Sequence, residues 1–361
     1  MQLVLLVICF VLPLLAPAEP LSIGSPHKLS ESYRDGDRYM GIRLLGAIRL
    51  SKTSLNGLKV RELSDLAWDD DQGILYAVSD NGHLLHLRPV FTGDILTGVD
   101  LLNAYPLRDA DGKILQGPMS DAEGLDIVKS TNGKKGDSEL IISFERKPRV
   151  LRYNPDGTLI DAYVLPPPLR DISNYSDSNR ALEAVTIHPE MGVLTGPERP
   201  LKNAEPGLMT IYSLNGHQWA ITPYDPEHGA LVALLALDDG SILILERSYS
   251  SIFQPITFAL RRIRISSVNP VNNPVSVEEV VHFSTRDQLT IDNFEGLTHH
   301  KENRFFMISD DNNSVIQKTL LVYFEILDPT DRQANRAWGL FGTLPPRMRQ
   351  PATWRCPFDP I

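Results

Sequence analysis

Cysteine is nearly absent from this chain: of 361 residues, only Cys9 and Cys356 carry a thiol. Cys9 lies within an uncharged N-terminal run, MQLVLLVICFVLPLLAPA, that ends in the small-residue pattern Ala16-Pro17-Ala18. Such a run has the character of a secretory apolar region followed by a cleavage site. It lacks a basic n-region beyond the amino terminus, is interrupted by Pro13 and is short for a stable membrane span. Residues 1–18 are therefore expected to be a signal peptide, with no stable membrane insertion once it is removed. Cleavage after Ala18 leaves Cys356 alone, which excludes an internal disulfide and suits a bacterial periplasmic or secreted location.

Other absences narrow the function classes. Positive charge is in deficit, with 35 Lys and Arg against 45 Asp and Glu and a net charge of -10, which disfavours nucleic acid or an anionic membrane surface as partner. No segment of useful length has a helical apolar period, and a doubly wound α/β fold needs a helix between successive strands. No G-x-S-x-G elbow occurs, which counts against an α/β-hydrolase mechanism. There is no contiguous EF-hand loop. The histidines make no spacing typical of zinc ligands: His83 and His86 are three apart in a strand, and His188, His299 and His300 follow the nearby acids by four or five residues.

What the chain does contain is a repeat. In DNFEGLTHHKENRFFMISDDN, Glu295 opens an apolar strand, a polar turn follows, and a second strand ends on Asp310, fifteen residues later. The same step separates Asp65 from Asp80, Glu183 from Glu198, and Leu231 from Glu246, where the first acid is lost. Glu123 to Glu145 carries a seven-residue insertion in the turn. Two more strand candidates follow each hairpin except the last, which has one, while the N-terminal run Tyr39 to Leu50 is one strand to spare. Units spaced 58, 60, 48 and 64 residues apart, from positions 65, 123, 183, 231 and 295, indicate an all-β β-propeller of four-stranded blades. Five repeats are visible and six blades are possible, with the ring closed by the N-terminal strand. The propeller is expected over 39–328, followed by a Pro- and Arg-rich tail over 329–361.

The spacing places both acids of each hairpin at the same end of its blade, where the mouth of a central channel opens. Glu123, Glu183, Glu295 and Asp65 are expected to converge there, with Asp80, Glu145, Glu198, Glu246 and Asp310 around them. Clustered carboxylates repel unless cations or shared protons compensate, and hard divalent cations favour oxygen ligands. The expected metal is calcium, held by some of Glu123, Glu183, Glu295, Asp80 and Asp310 with help from Asn81 and Asn312. The alternative is that these acids cap strands or pair with arginines between blades. Arg146, Arg199 and Arg247 each follow a ring acid and are candidates for binding phosphate or carboxylate groups of a substrate. An interblade salt bridge is the competing role.

The motifs D-x-E-G-L at Asp121 to Leu125, F-E-R at Phe144 to Arg146, L-E-A-V at Leu182 to Val185, G-P-E-R at Gly196 to Arg199, L-E-R at Leu245 to Arg247 and N-F-E-G-L at Asn293 to Leu297 recur in order. From about Ser64 to Leu327 the chain resembles the phytase-like domain family, also called the esterase-like activity of phytase family. The resemblance implies a secreted or periplasmic bacterial β-propeller with esterase or phosphoesterase activity. The leading expectation is a calcium-dependent hydrolase acting on a small anionic or ester substrate, with Glu295 or Glu183 as general base. A non-catalytic propeller that binds a ligand or protein, and a calcium-dependent lactonase or arylesterase with a histidine near the mouth, are the alternatives.

Overall fold

The computed structural model describes residues 20–249, 254–267, 274–287 and 289–328; the expected signal peptide and C-terminal tail lie outside the described residues. Apolar, β-branched and aromatic runs dominate the strands, and many are buried along nearly their whole length. Gly229–Ala236 and Leu320–Ile326 are examples. Runs without strict apolar–polar alternation belong to sheets covered on both faces. Here the coverage comes from neighbouring sheets, and five apolar clusters fill five gaps. Ala67 and Val78 meet Leu125 and Phe144; Ile141 and Val150 meet Val185 and Tyr212. Leu194 and Trp219 meet Leu234 and Ile244, Leu243 and Phe258 meet Phe294 and Met307, and Phe306 and Ile308 meet Leu66 and Leu85. The clusters run from each sheet to the next and back to the first, so the sheets form a ring.

Five of the sheets are antiparallel blades. Blade 1 is built from Leu63–Asp69, Ile74–Ser79, His83–Thr92 and Ile95–Pro106; blade 2 from Ala122–Val128, Glu139–Phe144, Arg149–Tyr153 and Leu159–Tyr163. Blade 3 contains Leu182–His188, Gly192–Pro197, Met209–Ser213 and Gln218–Ile221, and blade 4 contains Gly229–Ala236, Ser241–Ser248, Thr257–Arg264 and Val277–Ser284. Blade 5 has Asn293–Lys301, Arg304–Asp310 and Leu320–Ile326, and Ile42–Leu50 supplies its fourth strand by pairing from Ile42↔Ile326 to Arg49↔Leu320. The ring therefore has five blades, and a sixth is not needed to close it. Closure also reaches further upstream than Tyr39. Gly24–Pro26 pairs outside Ile42–Leu50, while Leu21–Ser22 pairs with the last strand of blade 1. Residues 21–26 thus join the first and last blades and cover their edges.

The innermost strands are tied to one another by side chains that accept from the neighbouring backbone. Asp65, 1% exposed, accepts from Leu66 N and Leu297 N at 2.8 and 2.9 Å through Oδ1 and from Leu125 N at 2.8 Å through Oδ2. One carboxylate so links blades 5, 1 and 2. Asp126 accepts from Ile187 N and Thr186 Oγ1 in blade 3, and Thr186 Oγ1 accepts from Ala236 N in blade 4. Thr298 Oγ1 accepts from Trp68 N, joining blade 5 to blade 1. The approach is close: a Cβ at Gly296 would lie 2.6 Å from Asp65 Cα, and one at Gly124 would lie 2.5 Å from Val185 N. Burial pushes the Asp65 carboxyl up, while its three backbone donors hold it down.

Asp65 was expected at the mouth, and it instead has this structural role. Replacing it by Asn turns one acceptor oxygen into an amide that faces a backbone donor. Asp65→Asn is expected to destabilise the fold by about 1–3 kcal/mol, read as a lower urea midpoint with an unchanged slope.

Candidate functional site

The pairing within the blades explains why Asp65 misses the mouth. In every blade the ladder between the first two strands shifts by one residue just inside the mouth: between Leu63 and Asp65, Ala122 and Leu125, Leu182 and Ala184, Leu231 and Ala233, and Phe294 and Gly296. A β-bulge re-aims the extra side chain and is common beside functional sites. The residues at these bulges are Ser64, Glu123, Glu183, Val232 and Glu295. All but Val232 line one polar cavity of about 160 Å³ at this end of the ring; Val232 is 3% exposed in the core between blades 4 and 5.

The same register decides which residue of the second strand reaches the cavity. Pro197 pairs with Leu182, so the next residue, Glu198, lines the mouth; Glu246 pairs with Leu231, so the next residue there is Arg247. Glu246, expected among the ring acids, turns away. It is 1% exposed, accepts from Tyr224 N at 2.6 Å and pairs with Arg261 at 2.6 Å. Arg247 takes the position that Asp80, Glu145, Glu198 and Asp310 hold in the other four blades.

The cavity is lined by eight carboxylates and two guanidiniums, from Arg146 and Arg247. Of the expected metal ligands, Glu123, Glu183, Glu295, Asp80 and Asp310 all line it, and so does Asn312. Asn81 donates instead to Glu62 and Asp80. Asp121, which has no counterpart in the fifteen-residue pattern, enters from the loop before the inner strand of blade 2, and Asn179 enters from the linker between blades 2 and 3. No repeat spacing marks these two, because loops rather than strands carry them.

The three arginines fare differently. Arg247 donates to Glu295 at 2.8 Å, Glu198 at 3.0 Å and Asn293 Oδ1 at 2.6 Å. Arg146 is half-exposed at the rim and pairs with Asp121 at 2.9 Å. Arg199 donates to Gly229 O at 2.6 Å and does not line the cavity. No histidine lines it either; His188 bonds to Gly240 O and His299 to Glu302 O.

Two sets of carboxylates bring their oxygens within 4.8 Å of one another, Asp121 with Glu123 and Glu145, and Glu145 with Glu183 and Glu198. Either set can hold a cation. Glu183 is 7% exposed, and among the described residues its carboxylate meets no hydrogen-bond donor. Burial pushes Glu183 well up, and Glu123, Glu198 and Glu145 add to it. Glu123 is pushed well up by burial and by Glu145 and Glu295. Burial raises Glu145 to about 8, with Asp121 and Glu198 contributing. Asp80 rises to about 8 through burial and the nearby Glu62 and Asp121, and Asp310 to about 9 through burial and Glu295. Burial raises Glu295 too, but Arg247 and Asn293 oppose it.

These acids bind protons more tightly folded than unfolded, where carboxyls titrate near about 4. Their contribution to stability is then present at low pH and is lost as pH rises toward about 8 for Asp80 and Glu145 and about 9 for Asp310. Metal-free protein is expected to melt at progressively lower temperature as pH increases through that window. A saturating divalent cation should flatten the profile, as differential scanning calorimetry in chelator and in calcium would read.

The fold and its mouth can be set beside known proteins. An endo-arabinase from Bacteroides thetaiotaomicron VPI-5482 is similar at 14% identity and a TM-score of 0.44, over 75% of this chain and 95% of that one. The Cps50 (Swd1) beta-propeller domain from Myceliophteria thermophila is similar at 10% identity and a TM-score of 0.36, over 84% and 99%. No curated protein sequence matches the chain. The sequence profile described as "Phytase-like: Esterase-like activity of phytase" matches residues 58–313, a span that includes all five bulges and every acid of the cavity. The chain belongs to the phytase-like family, whose description is esterase-like activity of phytase.

Proposed function

We propose that the chain is an exported, cation-dependent hydrolase of small ester or phosphoester substrates, with calcium as the cation that suits the site best. The observation that carries this reading is Glu183, 7% exposed and lining the cavity, whose carboxylate accepts no hydrogen bond among the described residues and lies within ligating reach of Glu145 and Glu198. Burying a charge without a partner is costly, and a set of carboxylate oxygens suits a hard divalent cation. Glu145, common to both sets, would hold the ion with Glu183 from one set or Glu123 from the other. The other members of the two sets, Asp121 and Glu198, already face Arg146 and Arg247. A bound calcium ion supplies Lewis-acid polarisation of an ester or phosphoryl oxygen.

The chain's own groups have separable tasks in this reading. Arg146, half-exposed at the rim, is placed to receive an anionic group of the substrate. Asp80 and Asp310, whose carboxyls are held up at about 8 and 9 in the metal-free protein, are the candidates to deliver a proton to a leaving alkoxide. Glu295 Oε1 is engaged by both Arg247 and Asn293, so Glu295 is a positioning residue in this scheme rather than the base. Export rests on the uncharged run over residues 1–18.

The test is hydrolysis of paired alkyl and nitrophenyl esters and phosphates by metal-stripped protein, with and without added calcium. Turnover is expected to depend on calcium, and Glu183→Gln is expected to lose the calcium response. Asp310→Asn should slow alkyl substrates by about 10²–10⁴-fold and nitrophenyl substrates much less, since their leaving group needs no proton. Equal rates on alkyl substrates would remove Asp310 from the mechanism. Saturable binding of these compounds without turnover would replace the enzyme with a ligand-binding propeller.

A further inference from the structure

We infer that the Arg247 guanidinium is a built-in cation, standing where a metal ion would otherwise sit on the blade 4–blade 5 side of the mouth and confining exchangeable ions to the blade 2–blade 3 side. Four blades end their second strand with a carboxylate in the cavity, and blade 4 ends it with Arg247. Blade 4 also has Val232 where blades 2, 3 and 5 have a bulge glutamate, so it contributes no carboxylate to the ring. Its one acid nearby, Glu246, is consumed by Arg261 and the Tyr224 N–H outside the mouth.

The position of the guanidinium follows from that gap. Its donors reach across both flanks of blade 4, to Glu198 of blade 3 at 3.0 Å and to Glu295 of blade 5 at 2.8 Å, with Asn293 Oδ1 at 2.6 Å as a third oxygen. Three oxygens from two neighbouring blades surround one positive centre that is 21% exposed, much as ligand oxygens surround an ion. A planar guanidinium directs its donors along fixed lines, so it gathers carboxylates without being exchanged for solvent cations. Across the cavity, no arginine or lysine hydrogen-bonds or ion-pairs with Glu123, Glu145 or Glu183 among the described residues, and Arg247 and Arg146 act on Glu183 and Glu145 only through space. On the blade 4 flank the chain supplies a cation of its own, and on the opposite flank the carboxylates depend on what they bind. Arg247 is on this account engaged on both flanks by the protein itself, and Arg146, paired with Asp121 but half-exposed, is the guanidinium with a face open to a substrate.

The inference rests on the proposed cation site only for its probe, calcium. Native mass spectrometry of metal-stripped protein titrated with calcium chloride would count bound ions in the wild type, Arg247→Met, Arg247→Lys and the double variant Arg247→Met/Glu295→Gln. Arg247→Met is expected to bind one calcium more than the wild type and to gain more in melting temperature from calcium. Arg247→Lys, which keeps a tethered charge, and the double variant, which removes a carboxylate along with the cation, should both return to the wild-type count. If Arg247→Met folds only when calcium is present, that rescue is itself the expected result. An unchanged ion count in Arg247→Met, or an extra ion in Arg247→Lys, would overturn the inference. Should the wild type bind no calcium while Arg247→Met binds one, the built-in cation stands and the proposed calcium-dependent hydrolase falls.

Discussion

In each blade the inner strand takes in one residue more than its partner just inside the mouth, and the ladder must push that residue's side chain out of the sheet plane. Five such bulges are arranged around one axis, and those at Ser64, Glu123, Glu183 and Glu295 aim their side chains at one cavity, while Val232 of blade 4 packs in the core. Three of them carry glutamate, at 123, 183 and 295, and the residues one step beyond the second strands add a second tier. The staples formed by Asp65, Asp126, Thr186 and Thr298 lie directly below and hold the inner strands at a fixed separation. Glycine at 124 and 296 permits that separation, since a Cβ there would collide with the neighbouring inner strand. The mouth is narrow because the ring beneath it is tight.

A narrow mouth lined by carboxylates has an electrostatic cost that the chain meets unevenly. Arg247 pairs with Glu198 of blade 3 and Glu295 of blade 5, and Arg146 pairs with Asp121 at the rim. Glu123, Glu145 and Glu183 of blades 2 and 3 and the pair Asp80 and Asp310 are left to protons or bound cations. This asymmetry distinguishes a site with a defined orientation from a uniformly acidic ring. In the proposed scheme it also separates the acids by role: some would ligate, some would hold a proton, and Glu295 is held by Arg247 and Asn293.

Much of the architecture is legible in the chain. The recurrence of apolar hairpins from position 65 onward, together with a last unit short by one strand and an N-terminal run with no partner, implies a ring closed by Ile42–Leu50. The acids at 80, 145, 198 and 310 stand out because strand ends repeat in step with the hairpins. Other features leave no such trace. Ser64 and Asp65 are adjacent, and only the bulge decides that the first lines the mouth while the second bonds three backbone amides. Glu246 and Arg247 repeat the Glu-Arg pair of 198 and 199, yet their outward and inward faces are exchanged.

The sequence by itself determined the order of the five visible hairpin units and the strand that completes the last blade, because these follow from the apolar period and the count of strands. The closure of the ring at five blades was decided by the tertiary structure. Only the tertiary structure decided which member of each neighbouring pair faces the cavity and which carboxylates obtain a cationic partner. The side-chain direction in a strand reverses with every residue, so a one-residue bulge exchanges inside for outside. A bulge is set by the fit of one inner strand against the next, across contacts that no single segment of the chain contains.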